Sequence, residues 1–293
     1  AIKEVGDGKT VFQRKDLNAV DAKGLKHIFV DEFQDFSELF YRLIEKIIRN
    51  NSDVNLFCVG DDWQAINGFA GSELRFFKNF NKFPFVDSSD DTDNLSLLTN
   101  YRSTANIVSF SNALMRGRGE PGRPASSQSG GLINIVNLES ATLSKFERNL
   151  FKADKCTPVL LRIIKKVLNR KENLTILSRT NRIPYPVSFM SFKTGEQNNS
   201  LNDYKSTLFR YLTSKEERTR ISISTAHKFK GMEDDNIVIL DANDGRFPLL
   251  HAKWIFGRIF GDTIESIEEE EKRLFYVALS RAVKNLYVFV DGS

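Results

Sequence analysis

The chain has 293 residues, and 42 Lys and Arg against 38 Asp and Glu leave a formal net charge of +4. At about 150 residues per domain that is two domains' worth, and 41% hydrophobic with 27% charged residues excludes extended disorder, a collagen repeat and a coiled-coil rod. Two cysteines cannot build a disulfide framework or a four-thiolate metal site, which suits a reducing cytoplasm, and the mild basic excess permits nucleic-acid binding without demanding it.

Apolar runs predict strands at His27–Val30, Asn55–Val59, Leu132–Val136, Leu174–Leu177, Ile221–Ser224, Asn236–Leu240 and Leu286–Val290. Between them, Leu39, Leu43, Ile44, Ile47 and Ile48 recur at helical spacing, as do Ile107, Val108, Leu114 and Met115 after Ser103, a candidate N-cap. Alternation of strands and helices predicts an α/β fold with largely parallel sheets. Asp87–Asn94 reads as a domain junction and Arg116–Gly131 as a long loop. The longest apolar candidate for a membrane span, Phe247–Phe260, is broken by Pro248, His251, Lys253 and Arg258.

In parallel sheets, ligands sit beyond the carboxyl ends of the strands. After the first run come Asp31 and Glu32, suited to hold a hydrated Mg²⁺ and to orient a water, though equally an acidic helix start. After the second, Gln64 can sense a phosphate oxygen and Phe69 can stack on a base, while Trp63 reads as a core aromatic. Tyr101 and Arg102 precede a helix and suit a base and a phosphate, or a capped helix with a surface Arg. Thr225, His227 and Lys228 crowd a turn that ends at Glu233, a carboxylate able to accept from a ribose hydroxyl. Last, a helix over Glu268–Ala282 places Arg281 on the face of Leu274, Val277 and Ala278. With no carboxylate four residues back, Arg281 either meets an outside anion or snorkels from the helix C-terminus; the glutamates at 268–271 read as a solvated, dipole-matched start.

Taken in order, Asp31-Glu32-Phe33-Gln34-Asp35, Val59–Gln64 with Gly68–Gly71, Asn100-Tyr101-Arg102-Ser103, Thr225–His227 with Lys230–Glu233, and Tyr276–Ala282 resemble motifs II to VI of the UvrD/Rep-like DNA helicases of superfamily 1. The resemblance implies a RecA-like P-loop NTPase fold, with residues 1–94 as the rear part of a first motor domain and 95–293 as a complete second one. It assigns the metal to Asp31, the attacking water to Glu32, the γ-phosphate to Gln64, Arg102 and Arg281, adenine to Tyr101, ribose to Glu233, and single-stranded DNA to Phe69, Thr225 and His227. It implies ATP and Mg²⁺ as cofactors, single-stranded and duplex DNA as partners, 3′ to 5′ translocation driven by domain closure on ATP, and a cytoplasmic, membrane-free setting.

Several features depart from that pattern. Asn67 and Phe69-Ala70 stand where the family often has Tyr and Trp-Arg, Trp63 where it often has Asp, and Ser280 where it usually has Thr. The interval from Tyr101 to Thr225 leaves room for at most a small insertion between Leu132 and Arg220. No G-x-x-x-x-G-K-[ST] loop is present: Gly8-Lys9-Thr10 lacks its first Gly, since Lys3 fills that position. With Ala1 in place of an initiator Met, this predicts the C-terminal portion of a longer helicase, inert by itself. The alternative is a non-catalytic module that binds single-stranded DNA or nucleotide.

Overall fold

The protein is described here by a computed structural model covering residues 11–13, 20–51, 53–83, 94–125, 127, 129–183, 200–212, 214–240, 242–247, 249 and 263–291. The Gly8–Thr10 turn, residues 87–93 of the expected junction and nearly all of Phe247–Phe260 lie outside these. The chain divides into two compact units, Ala1–Ser96 and Leu97–Ser293.

In the first unit, β1 (Val11–Phe12) and β2 (Val20–Asp21) form an antiparallel pair. β3 (His27–Val30) crosses through α1 (Glu38–Arg49) to the parallel β4 (Asn55–Cys58), with Phe29 opposite Phe57. Period-two alternation half-buries Ile28, Val30, Leu56 and Cys58 and turns Phe29 and Phe57 outward, their rings 5.8 Å apart. The buried core of this unit is aromatic: Phe33, Phe36, Phe83 and Phe76, the last from the short α2 (Leu74–Lys78). Tilted and edge-on ring pairs there, such as Phe33 with Phe36 at 4.8 Å, fit the ring quadrupole.

The second unit is built on a parallel sheet in the order β7 (Leu132–Asn137), β11 (Ala282–Val290), β10 (Asp234–Ile239), β8 (Leu174–Ser178), β9 (Ile221–Thr225). The interior strand β8 is buried along its whole length, which is why it reads as a mainly apolar run. Helices α4 (Lys145–Phe151) and α5 (Cys156–Asn169) connect β7 to β8, and α6 (Leu201–Phe209) and α7 (Lys215–Thr219) precede β9. α8 (Ile264–Leu279) leads into β11, and α3 (Ala105–Leu114) packs against it. Parallel strands flanked by helices give the α/β, RecA-like architecture that the motif order implied.

Local expectations need correction in three places. Thr104, not Ser103, occupies the N-cap position of α3, without a side-chain cap hydrogen bond, and the Ser103 hydroxyl donates to the Ala282 carbonyl at 2.7 Å. The 116–131 segment contains a two-residue strand, β6 (Arg123–Pro124), parallel to β5 (Thr99–Asn100). α8 starts at Ile264 behind a Thr263 capping box, so the glutamates at 268–271 lie beyond its first turn. Two of them are not solvated end charges: Glu269 takes Arg118 at 2.5 and 2.7 Å, and the buried Glu271 takes Arg179.

Candidate nucleotide and nucleic-acid sites

In the first unit the strand ends deliver a hydrogen-bonded row. Asp31 Oδ1 accepts from Glu32 N at 2.8 Å, and Glu32 adopts the left-handed region (φ 52°) that side-chain-bearing residues rarely occupy. Buried Gln34 fixes the geometry from below: its Nε2 donates to Glu32, and its Oε1 accepts from Asp61 N at 3.0 Å. The segments after β3 and β4 are thereby joined through one amide. A Cβ at Gly60 would stand 2.5 Å from Gln34 Oε1, so only glycine allows this approach. Asp61 in turn accepts from Trp63 N at 3.0 Å and from Gln64 Nε2 at 2.7 Å, which turns the Gln64 N–H group toward Asp61. Trp63 is buried, as its core reading required. Phe69 is 80% exposed on a tight turn closed by Gly71 in the left-handed region. No role was assigned to Gln34 from sequence; the glycine two residues after β4 was its signal.

For Mg²⁺, the described residues hold no cluster of three or more His, Cys, Asp or Glu side chains able to cage a metal. Mg²⁺ seldom needs such a cage, because it keeps several waters and uses one or two carboxylates plus substrate phosphates. Asp31, exposed at the strand end, fits that role.

In the second unit, Asn100 Oδ1 accepts from Arg102 N and Ser103 N, both at 2.9 Å. This turn leaves Tyr101 76% exposed and directs Arg102 Nε to the Glu233 carboxylate. The residue before Glu233 serves a second arginine: Arg281 Nη1 donates to the Met232 carbonyl at 3.4 Å. Gly231, at φ 79°, supplies the turn that sets these two residues side by side. Arg281 is only 1% exposed and lies beyond the last residue of α8. It neither lacks a partner nor snorkels: Nε donates to the Val277 carbonyl and Nη2 to Ser280 Oγ, both at 3.1 Å. The partner four residues back is a backbone carbonyl at the negative pole of the helix, which a search for carboxylates overlooks.

Thr225 is buried and accepts weakly from Lys228 N at 3.4 Å. His227 is half-buried, and burial lowers its pKa below 6.5, helped by Arg179 and Lys230 and opposed by Glu271. Arg179 reaches both oxygens of Glu271 through Nε, at 3.0 and 2.8 Å, and Leu249 N donates to the same carboxylate at 3.0 Å. Neither Arg179 nor Glu271 was singled out from sequence, because they are 92 positions apart and only the fold pairs them. The structure thus joins Arg102 with Glu233 and Glu233's neighbour with Arg281, and separately joins Glu32, Gln34, Asp61 and Gln64.

Comparison with known proteins matches residues 9–84 to the UvrD/REP helicase N-terminal domain and residues 188–291 to the UvrD-like helicase C-terminal domain, together more than half of the chain. DNA helicase IV of Escherichia coli strain K12 is 26% identical over 261 residues, covering 88% of this chain and 32% of that protein. A probable DNA helicase of Mycoplasma pneumoniae is 26% identical over 267 residues, covering 91% of this chain and 44% of the relative. DNA helicase II of Escherichia coli K12 is 38% identical over 90 residues, 30% of this chain and 11% of the relative. The chain therefore spans about a third to under half the length of the first two of these relatives. With two family domains matched in the order its motifs require, this chain belongs to the UvrD/Rep-like helicase family.

Proposed function

We propose that the chain is the motor portion of an ATP-dependent DNA helicase that moves 3′ to 5′ along one strand and separates duplex DNA. The observation that carries this reading is the second-unit arrangement in which Arg102, next to exposed Tyr101, engages Glu233 while Arg281 donates to the carbonyl of the adjoining Met232. Two guanidiniums, a carboxylate and an exposed ring suit the phosphates, ribose and base of one nucleotide. Nucleotide entering there would take Arg102 and Glu233 from each other, Arg102 turning to phosphate and Glu233 to ribose. Arg281, held by the Val277 and Met232 carbonyls and the Ser280 hydroxyl, is preorganised and spends little ordering entropy when it meets charge.

In the first unit, Asp31 would hold Mg²⁺ and Glu32 would orient the attacking water and accept its proton. Mg²⁺ supplies charge neutralisation of the phosphates when bound. The hydrogen bond from Gln34 fixes the Glu32 carboxylate, and Asp61 fixes Gln64 for a contact with the γ-phosphate. Phe69, Thr225 and His227 would face single-stranded DNA, Phe69 by stacking. The phosphate-cradling loop would come from further chain, a view supported by the greater length of the relatives and by the outward Phe29 and Phe57. Residues 1–293 alone are then expected to turn over no ATP. Among the described residues no helix is long and apolar enough to cross a membrane, and the reading places the enzyme in the cytoplasm.

The test is Glu32→Gln in the full-length protein. Loss of a positioned base lowers kcat by roughly 10²- to 10⁴-fold, with ATP binding retained in equilibrium dialysis. Unchanged turnover would remove Glu32 from this role.

A further inference from the structure

Outside these clusters, α4 carries charge that no described residue neutralises. Its cap is a closed box: Ser144 Oγ accepts from Glu147 N at 3.2 Å, and Glu147 accepts from Ser144 N at 2.8 Å. Arg162 of α5 donates to the same carboxylate (Nε to Oε1, 2.9 Å), and its hydrogen bonds, with that from Ser144 N, hold Glu147 at about 2. The helix's single carboxylate is thus committed inward. On the outer side Lys145 and Arg148 stand one turn apart, with Lys152 as the C-cap at the end of the same line. None of the three forms an ion pair with a described residue, whereas Arg102, Arg118, Arg162, Arg179, Arg220 and Arg246 all do.

Two further observations mark this face. Phe146 is 73% exposed and follows Lys145 in the chain, on the flank of the outer surface away from Arg148. Lys152 sits at φ 54°, where glycine is at ease and lysine is strained, an arrangement that collects at functional positions. Topology places the face usefully. Lys155 Nζ donates to the Glu139 carbonyl at 3.0 Å, so the end of α4 stays near the carboxyl end of β7. Thr225 and His227 follow the carboxyl end of β9, the opposite edge of the same parallel sheet, about 19 Å away at four strand spacings.

We propose that the outer face of α4, formed by Lys145, Phe146, Arg148 and Lys152, binds single-stranded nucleic acid, with phosphates on the cations and one base stacked on Phe146. The proposal rests on the reading of the chain as a DNA motor and adds a second hold on the strand. The cations span about 10 Å along the helix, a reach suited to successive phosphates. A lipid surface would call for a broad apolar stripe, but α4 exposes one ring among charges, the alternation that an unstacked strand presents.

The experiment is fluorescence anisotropy of labelled oligothymidylate with the chain across a salt series. Lys145→Gln/Arg148→Gln/Lys152→Gly is expected to weaken binding and to reduce the log–log salt slope by about 2, at roughly 0.7 per phosphate contact. Phe146→Ala is expected to weaken it about tenfold with the slope retained. All four side chains are exposed and Lys152→Gly relieves strain, so thermal melts should match or slightly exceed wild type. A Phe69→Ala/His227→Ala variant separates the two sites. If it weakens binding while the α4 variants bind as wild type, the α4 site is wrong and the motor reading stands; the reverse pattern sustains α4 and removes the DNA roles of Phe69 and His227. Binding of the chain to phosphatidylserine vesicles but not to oligothymidylate overturns the nucleic-acid assignment.

Discussion

His227 shows how a side chain's chemistry is set by neighbours that its own segment does not contain. Burial is the main reason its pKa falls below 6.5, and Arg179, which follows β8 as His227 follows the neighbouring β9, adds to the effect. The folded chain then binds fewer protons than the unfolded chain around neutrality, so this residue contributes stability above pH 6.5 that is lost as pH falls below that value. Arg179→Gln is expected to raise the His227 titration midpoint, because it removes a repelling cation and leaves Glu271. Two-dimensional NMR of the imidazole resonances reads this directly, and an unmoved or lower midpoint would show that Arg179 is not a cause. The sequence offered His227 with Lys228 and Lys230 beside it, but Arg179 and Glu271 were not legible there. Arg281 makes the same point from the other side, since its partners are carbonyls and a hydroxyl that every sequence contains.

Among elements, α4 and α8 are tied to the rest of the second unit by glutamates engaged by arginine. Glu147 and Glu269 are both held at about 2, chiefly by hydrogen bonds from Arg162 and Arg118. Each carboxylate, depressed in the folded state, contributes stability that is complete above its ordinary value of 4.5 and is lost as pH falls toward 2. Both pairs are partly solvated, so each contributes at most about 1 kcal/mol. Glu147→Gln/Glu269→Gln is therefore expected to lower the urea midpoint at pH 6 and to flatten its decline between pH 5 and 3 relative to wild type. Parallel declines in the two proteins would count against it. Strands were legible as elements because β8 and the second half of β10 are buried and mainly apolar. Helix ends were less so: α8 begins at Thr263 with a Thr-Ser box rather than the Glu-bearing box that sequence patterns favour.

For the whole molecule, the alternation of strands and helices was enough to anticipate parallel sheets, because a parallel pair needs a crossover that is usually a helix. It could not show what pins those ends together, namely the Gln34 amide and the Met232–Glu233 step. The first unit has one more consequence, for the handling of the protein in solution. Among the described residues β3 pairs only with β4, and Phe29 and Phe57 face outward, 74% and 57% exposed. A short two-stranded ribbon with exposed aromatic rings is a template for sticking to its own kind. Sedimentation velocity is expected to show association that grows with concentration, abolished by Phe29→Lys/Phe57→Lys and absent from residues 97–293 expressed alone; association of that piece to the same degree would place the adhesive surface elsewhere. Purified samples would then age by slow clustering through this ribbon while the second unit inside each cluster stays folded.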